Sequence, residues 1–387
     1  MTRDFDDDRR YRLTRRRILA ASAAATAGLA GCSSEDGSDG NGNESEDGGE
    51  NPVDQPVDAD DRQIMGPTSE FVENPPDRVY LPTHQDGMGM VPMERVGDYQ
   101  VMPHWSYSHT FWLVRGTGTT REDPGSQSLH FMFMIWDAQT KQLLPVNVAG
   151  PMRVYKDGSL VGRPGRPWPM ISQGMGFHFG DNRQFASDDH SSSLPEEGTY
   201  EIELQLRPIN ETVVRKTGQF AGRFEEPVTA TFEFDFTQKK LETINERTET
   251  FDEQRRGSAT AAEPMGGMMG GNMPEMVLPP AEEYPGELLG QSSDGDLPNS
   301  HDAAFVVSYL DESRLAPDDT GYLLVSPRTP YNRIPLPETT LSVEGAVDGE
   351  LTETIDDELG HHYGIPADLG ESASFDLVVD SPPQVAR

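Results

Sequence analysis

The chain has 387 residues and carries 66 acidic against 31 basic side chains, a formal net charge of -35. A field of that sign repels nucleic acid and anionic lipid headgroups, so neither is expected as a partner. Five lysines among so many carboxylates resembles the composition of halophilic archaeal proteins, for which a Debye length of about 3 Å at molar salt screens the self-repulsion.

The N-terminus reads as an export address. Arg15 to Arg17 form a twin-arginine signal, an apolar stretch of small residues follows, and "LAGC" from Leu29 to Cys32 is shaped like a lipobox. The stretch is too short and too rich in Ala to be read as a spanning helix. Cys32 is the only cysteine of the chain, so no disulfide can form within one molecule. Residues 1–32 are therefore expected to be a lipoprotein signal, with Cys32 carrying the lipid as first residue of the mature protein. Residues 33–67 are acidic and rich in Gly, Ser and Asn, and are expected to be a disordered tether. The product would be a body anchored by lipid at the extracellular face of the cell membrane.

From 68 to 256 the pattern is that of a β domain. "YSHTFWLV" (107–114), "LHFMFMIWD" (129–137), "TYEIELQLRP" (199–208) and "PVTATFEFDF" (227–236) are short, aromatic or β-branched, and bounded by turn residues. That spacing predicts an all-β, immunoglobulin-like sandwich. The exception, "TQKKLETINERTETFDEQRR" (237–256), is polar all round and is expected to be a short solvated helix or tail. Residues 257–300 form a linker rich in Gly and Met, with Met265, Met268, Met269, Met273 and Met276. A second, smaller β-sandwich-like domain is expected from 301 to 387. Its "GHHYGIPAD" (360–368) echoes "GFHFGDN" (176–182), as a degenerate repeat would.

Six of the nine histidines fall in the first domain: His84, His104, His109, His130, His178 and His190. Met170 and Met175 stand within nine residues of His178, among glycines, in a segment read as a loop. Thioether with imidazole is a soft to borderline ligand set that suits copper. Each lone histidine also has an ordinary packing role, and His130 reads as one that packs beside its strand. Gly174, Gly176 and Gly180 would let the loop fold back so that Met170 and His178 meet, with Phe177 and Phe179 shielding them from water. His104 and His109 are five apart, which on one regular strand puts them on opposite faces. No nucleophile elbow, phosphate loop or dinucleotide fingerprint is present. The chain is expected not to be an enzyme, with copper-dependent redox activity as the alternative left open.

"WPMISQGMGFHFGDN" (168–182) resembles a loop of the form Met-Pro-Met-Val-Ala-x-Asp-Gly-Pro-His-Tyr-Gly-Ala-Asn in a known family. These are the periplasmic iron- and copper-binding ferrous iron transport proteins found beside an iron permease, some of them lipoprotein antigens. Met170 matches the second Met, His178 the His, Phe179 the Tyr, Gly180 the Gly and Asn182 the Asn. "TYEIELQLRPI" and "GRFEEPVTATFEFDF" follow in the family's order, and "VYLPTHQDGMGMVPM" (79–93) resembles its opening, so the resemblance spans about 76–237. It implies a β-sandwich, usually a homodimer, that binds a copper or iron ion and presents it to a membrane permease. It also implies a metal site of this Met, this His, a His-x-Glu pair on an earlier strand and a late His. Met170 and His178 carry over; the strand histidine maps to His109, with His104 the other choice. Here the Met-to-His spacing is one residue longer, "HTF" or "HWS" replaces His-x-Glu, and 210–222 holds no histidine. Met175, His84 or His190 would have to substitute, and the missing carboxylate tilts the set toward copper. The alternative is a structural or interaction lipoprotein that kept the sandwich without the metal.

Overall fold

A computed structural model describes residues 10–14 and 81–386, apart from 117, 125–127, 173, 186–193, 257, 259–272, 294, 301–302 and 331. The expectations for Cys32, the acidic tether, His190, Met265, Met268 and Met269 lie outside the described residues. The fold is all-β, with two sandwiches along the chain. No helix among the described residues is long and apolar enough to cross a membrane.

In the first sandwich the labelled strands are β1 (Tyr99–Tyr107), β2 (Phe111–Arg115), β3 (Gly118–Glu122) and β4 (Leu129–Asp137). They continue with β5 (Ala149–Lys156), β6 (Ser159–Gly165), β7 (Trp168–Ser172) and β8 (Gly176–Arg183). β9 (Gly198–Leu206), β10 (Val214–Lys216) and β11 (Val228–Phe236) complete the set. One sheet runs β7-β8-β4-β1, with the short strand Gly89–Met90 on the far side of β1. The other runs β6-β5-β9-β11.

The two sheets differ in how they meet water. Along β11, Ala230, Phe232, Phe234 and Phe236 are buried and the residues between them are exposed, the alternation of a sheet with one wet face. Every residue of β4 is buried. Its Leu129, Phe131, Phe133 and Ile135 enter the core between the sheets, while Met132, Met134 and Trp136 belong to a second cluster on the opposite face. Aromatic edges fix the inter-sheet core. Phe234 meets Phe131 at 5.1 Å and Trp105 at 5.0 Å between ring centroids, both T-shaped. Such pairs add about 0.5–1.5 kcal/mol each beyond their burial.

Three local expectations need correction. The run 107–114 is not one strand: β1 ends at Tyr107 and β2 begins at Phe111. Residues 168–183 are not a loop but a β-hairpin, β7 and β8. The polar segment after Phe236 contains α1 (Gln238–Glu246), capped by the Thr237 side chain accepting from Lys240 N, and it is not purely solvated. Leu241 and Ile244, three apart on one face, are buried in the first core.

The second sandwich comprises β12 (Ala303–Leu310), β13 (Tyr322–Arg328), β14 (Thr340–Gly345), β15 (Thr352–Asp356), β16 (Gly360–Pro366) and β17 (Ser374–Ser381). Its larger sheet runs β15-β16-β13-β12, the same order in which β7-β8-β4-β1 run in the first. β14 and β17 pair in the other sheet, and Arg10–Thr14 pairs with β17 on its far edge. The sandwiches are joined by backbone. β10 pairs in parallel with β15, Val214 opposite Glu353. The C-terminal tail lies between β2 and β7: Ile171 N donates to Ala386 O (2.9 Å), Ala386 N to Pro169 O (2.7 Å) and Val114 N to Val385 O (3.3 Å).

Candidate metal centre

The hairpin explains why Met170 and His178 belong together. They are directly opposite in the β7–β8 register, so their side chains share a face. Gly176 adopts φ +70° where β8 leaves the turn, a conformation an L side chain resists. Gly180 supplies room. A Cβ there would lie 2.7 Å from Met170 Sδ and 2.9 Å from His130 Nε2, so thioether and imidazole both face the space above this glycine. Phe177 and Phe179 point the other way, into the inter-sheet core, and do not shield the site. The side-chain period of two makes that unavoidable once His178 faces outward.

Imidazoles gather on the same face. His104 on β1 lies opposite Met132 of β4, and Met132 lies opposite Gly180 of β8. His130 lies opposite Asn182. His109 reaches the face because β1 has already ended, so the opposite-face rule for residues five apart no longer binds it. Its ring centroid is 4.2 Å from that of His130. Phe111 also approaches His130 edge-on.

The tautomers follow from the partners. His178 Nδ1 faces Gly176 O at 3.1 Å, and a carbonyl only accepts, so Nδ1 carries the proton and Nε2 keeps its lone pair. His109 Nδ1 makes a longer bond of the same sense to Tyr107 O, at 3.4 Å. Asn182 Nδ2 donates to His109 O at 2.8 Å, which fixes the amide and turns Oδ1 toward His130 Nδ1 at 2.9 Å. His130 thus also donates from Nδ1 and offers Nε2. Holding one ring nitrogen so that the other is free is the outer-shell arrangement of metal-ligating histidines. His104 differs: both of its ring nitrogens are buried with no hydrogen-bond partner. An orphaned buried polar group is costly unless something else engages it.

Burial keeps these rings neutral. It lowers His104 and His178 to about 4 and pushes His109 and His130 down as well; mutual repulsion, as between His178 and both His104 and His109, adds to the shift. A weak approach to the Met102 backbone offsets part of the effect at His104 but falls short of a hydrogen bond. Neutral imidazole is the ligating form.

Of the six residues expected at the site, four lie on this one face: Met170, His178, His109 and His104. Met175 packs instead with Met102, Met132, Met134 and Met276. His84 stands at the margin with both ring nitrogens engaged, Nδ1 with Thr83 Oγ1 (2.8 Å) and Nε2 with Asp86 Oδ1 (3.1 Å). Burial alone would raise the Asp86 carboxyl. Hydrogen bonding from His84 and the Tyr107 hydroxyl, with the imidazole of His109 nearby, outweighs it and holds Asp86 at about 2. Sequence reasoning left out His130 and Asn182 as functional residues. The signal for His130 was its place in "LHFMFM", where period two separates His130, Met132 and Met134 from Leu129, Phe131 and Phe133. Among the described residues no three His, Cys, Asp or Glu side chains converge closely enough to hold a metal ion by themselves. What converges is imidazole with thioether.

The echo at 360–366 is structural. Gly360 has φ +68°, and His362 Nδ1 donates to Gly360 O at 3.0 Å, as His178 does to Gly176 O. Register gives the counterparts: Thr354 lies opposite His362 where Met170 lies opposite His178, and Ser308 stands where His104 does. Tyr322 takes the place of His130, and its hydroxyl meets His362 Nε2 at 3.3 Å. His361 and His362 are buried rather than a surface pair. His361 Nε2 pairs with Glu353 at 2.8 Å.

Residues 282–387 match a family model described as a domain of unknown function, DUF7350. No curated protein matches the chain. Among solved structures, FetP of uropathogenic E. coli strain F11 is similar over 39% of this chain and 96% of its own, at 12% identity and a TM-score of 0.28. The copper-reconstituted P19 protein of Campylobacter jejuni is similar over 39% of this chain and 97% of its own, at 14% identity and a TM-score of 0.28.

Proposed function

We propose that this chain is an exported, lipid-anchored metal carrier that holds copper, or less readily iron, on the outer face of its first sandwich and presents it to a membrane permease. The observation that carries the reading is the set His109, His130 and His178, each held through Nδ1 on a fixed acceptor with Nε2 free, beside Met170 Sδ and the unpartnered His104. The metal is cargo. A thioether with neutral imidazoles favours Cu(I) over iron, and Asp86, the nearby carboxylate, is already engaged by Tyr107 and His84. The reading is of a carrier; turnover of the copper-loaded chain with an electron donor would point to a redox enzyme instead.

The test is competition with a Cu(I) chelator on the full chain in high salt. Copper held tightly at this site, weakened by more than roughly 100-fold in His178→Ala and in His130→Ala, supports the carrier. Equal affinity in both variants sinks the site. A second reading, an interaction lipoprotein without metal, is favoured by the absence of three converging His, Cys, Asp or Glu side chains among the described residues. It predicts no Cu(I) retention and no shift in Tm on adding metal.

A further inference from the structure

The outer face of the first sandwich carries more sulfur than Met170. Met102, Met132, Met134, Met175 and Met276 are buried in one cluster with Trp136, and Met88 and Met273 pack against it half-buried. Register builds the cluster: Met102 lies opposite Met134, and Met132 opposite His104. Met276 comes from the Gly- and Met-rich segment, whose last turn docks here; Gln142 bridges to Glu275, and Met276 Cε reaches within 3.2 Å of the Cβ position of Gly176.

Methionine serves as an adaptable filler in ordinary cores, and a filler should be spread through them. Here it is segregated. The core between the two sheets of the first sandwich contains Met152 as its one methionine among the described residues, and the main core of the second contains none. The repeat makes the contrast sharper, since Leu324, Ser326 and Val306 stand where Met132, Met134 and Met102 do. The same three sheet positions pack without sulfur in one sandwich and with three buried thioethers in the other, where Met175 and Met276 join them. His104, whose two ring nitrogens lack partners, adjoins the cluster, directly opposite Met132 and two residues from Met102 on β1.

We propose that the Met102, Met132, Met134, Met175 and Met276 cluster is a second site, built of thioethers, for the monovalent soft cation Cu(I). A single charge with soft, uncharged ligands is the metal chemistry such a cluster accepts; harder divalent ions want oxygen or more nitrogen. Trp136 adds an aromatic side chain to the same cluster. His104 is the residue through which copper would pass between thioethers and imidazoles. The site is separate from the imidazole site and stands or falls without it.

The experiment is an anaerobic Cu(I) titration of the full chain in high salt, with methionine methyl groups labelled with carbon-13 and followed by NMR. The proposal expects two equivalents to bind, and the methyl resonances of Met102, Met132, Met134, Met175 and Met276 to move together with one of them. Substituting Met102→Leu, Met134→Leu and Met276→Leu together keeps volume nearly constant and should reduce two equivalents to one. His130→Ala with His178→Ala should remove the other equivalent and leave the cluster's methyl shifts intact. Movement of the Met170 methyl alone, or no methyl movement at all, overturns the proposal on the unaltered chain, whatever the variants do. Two equivalents retained by the triple leucine variant overturn it as well.

Discussion

Asn182 shows how much one side chain decides. Its amide donates to His109 O and accepts from His130 Nδ1, so one residue sets the place of one imidazole and the tautomer of another. Asn182→Ala should therefore weaken Cu(I) binding by roughly 10–100-fold without removing a ligand; chelator competition reads the affinity, and Asn182→Asp, which keeps the acceptor, should recover part of it. The titration of the histidines makes a second prediction. With His104 and His178 at about 4, copper should stay bound as pH falls from 7 to 5, where free imidazole would already be protonated. Stability moves the other way. The unfolded chain binds protons at these residues below about 6.5 and the folded chain only near 4, so unfolding gains protons between these values and stability falls as pH falls through the window. The metal-free chain should lose on the order of a few kcal/mol between pH 7 and 4 from this pair. A Tm that stays flat across that interval would contradict the buried, neutral assignment.

At the scale of elements, the β7–β8 hairpin and strand β4 make the site. The soft ligands at 170 and 178 could be picked out from the sequence, because residue type and proximity survive without knowing the backbone. Their register could not, since a loop and a hairpin serve the same glycines, and reading a loop sent Phe177 and Phe179 to the wrong side. His130 was hidden by a strand buried on both faces, where a histidine among phenylalanines reads as packing. α1 was missed as a core element because two apolar residues, Leu241 and Ile244, are a weak stripe; their burial comes from where the helix docks. Gly180→Ala tests the hairpin. The new methyl would need the space that Met170 Sδ and His130 Nε2 face, at 2.7 and 2.9 Å, so Cu(I) binding should drop at least tenfold while the far-ultraviolet CD of the fold is kept. Leu241→Ala, by contrast, should cost about 2–4 kcal/mol in denaturant unfolding and leave the copper site's spectrum unchanged.

Across the whole molecule, one sandwich layout occurs twice with different consequences. The first copy presents Met170, His104 and His130 around His178; the second presents Thr354, Ser308 and Tyr322 around His362, whose Nε2 the Tyr322 hydroxyl already meets. The all-β class and most strands of the second copy could be read from alternation and turn residues, but the matching strand order could not, because "GHHYG" against "GFHFG" is too short an echo. The second copy also closes the first: Val385 and Ala386 run beside β7, and Ala386 packs with Met170, Phe111 and Leu113. Deleting residues 383–387 should uncover Met170 and speed Cu(I) release to a chelator, measured by stopped flow, with little change in the far-ultraviolet CD. The central claim is that imidazoles and the Met170 thioether hold one copper together. Its most direct test is copper K-edge absorption of the chain loaded with one Cu(I), in the Met102→Leu, Met134→Leu, Met276→Leu background so that the thioether cluster is silent. The account predicts a shell of imidazole nitrogen with one sulfur, and loss of that sulfur in Met170→Leu. A shell of oxygen alone, or a sulfur that survives Met170→Leu, would contradict it.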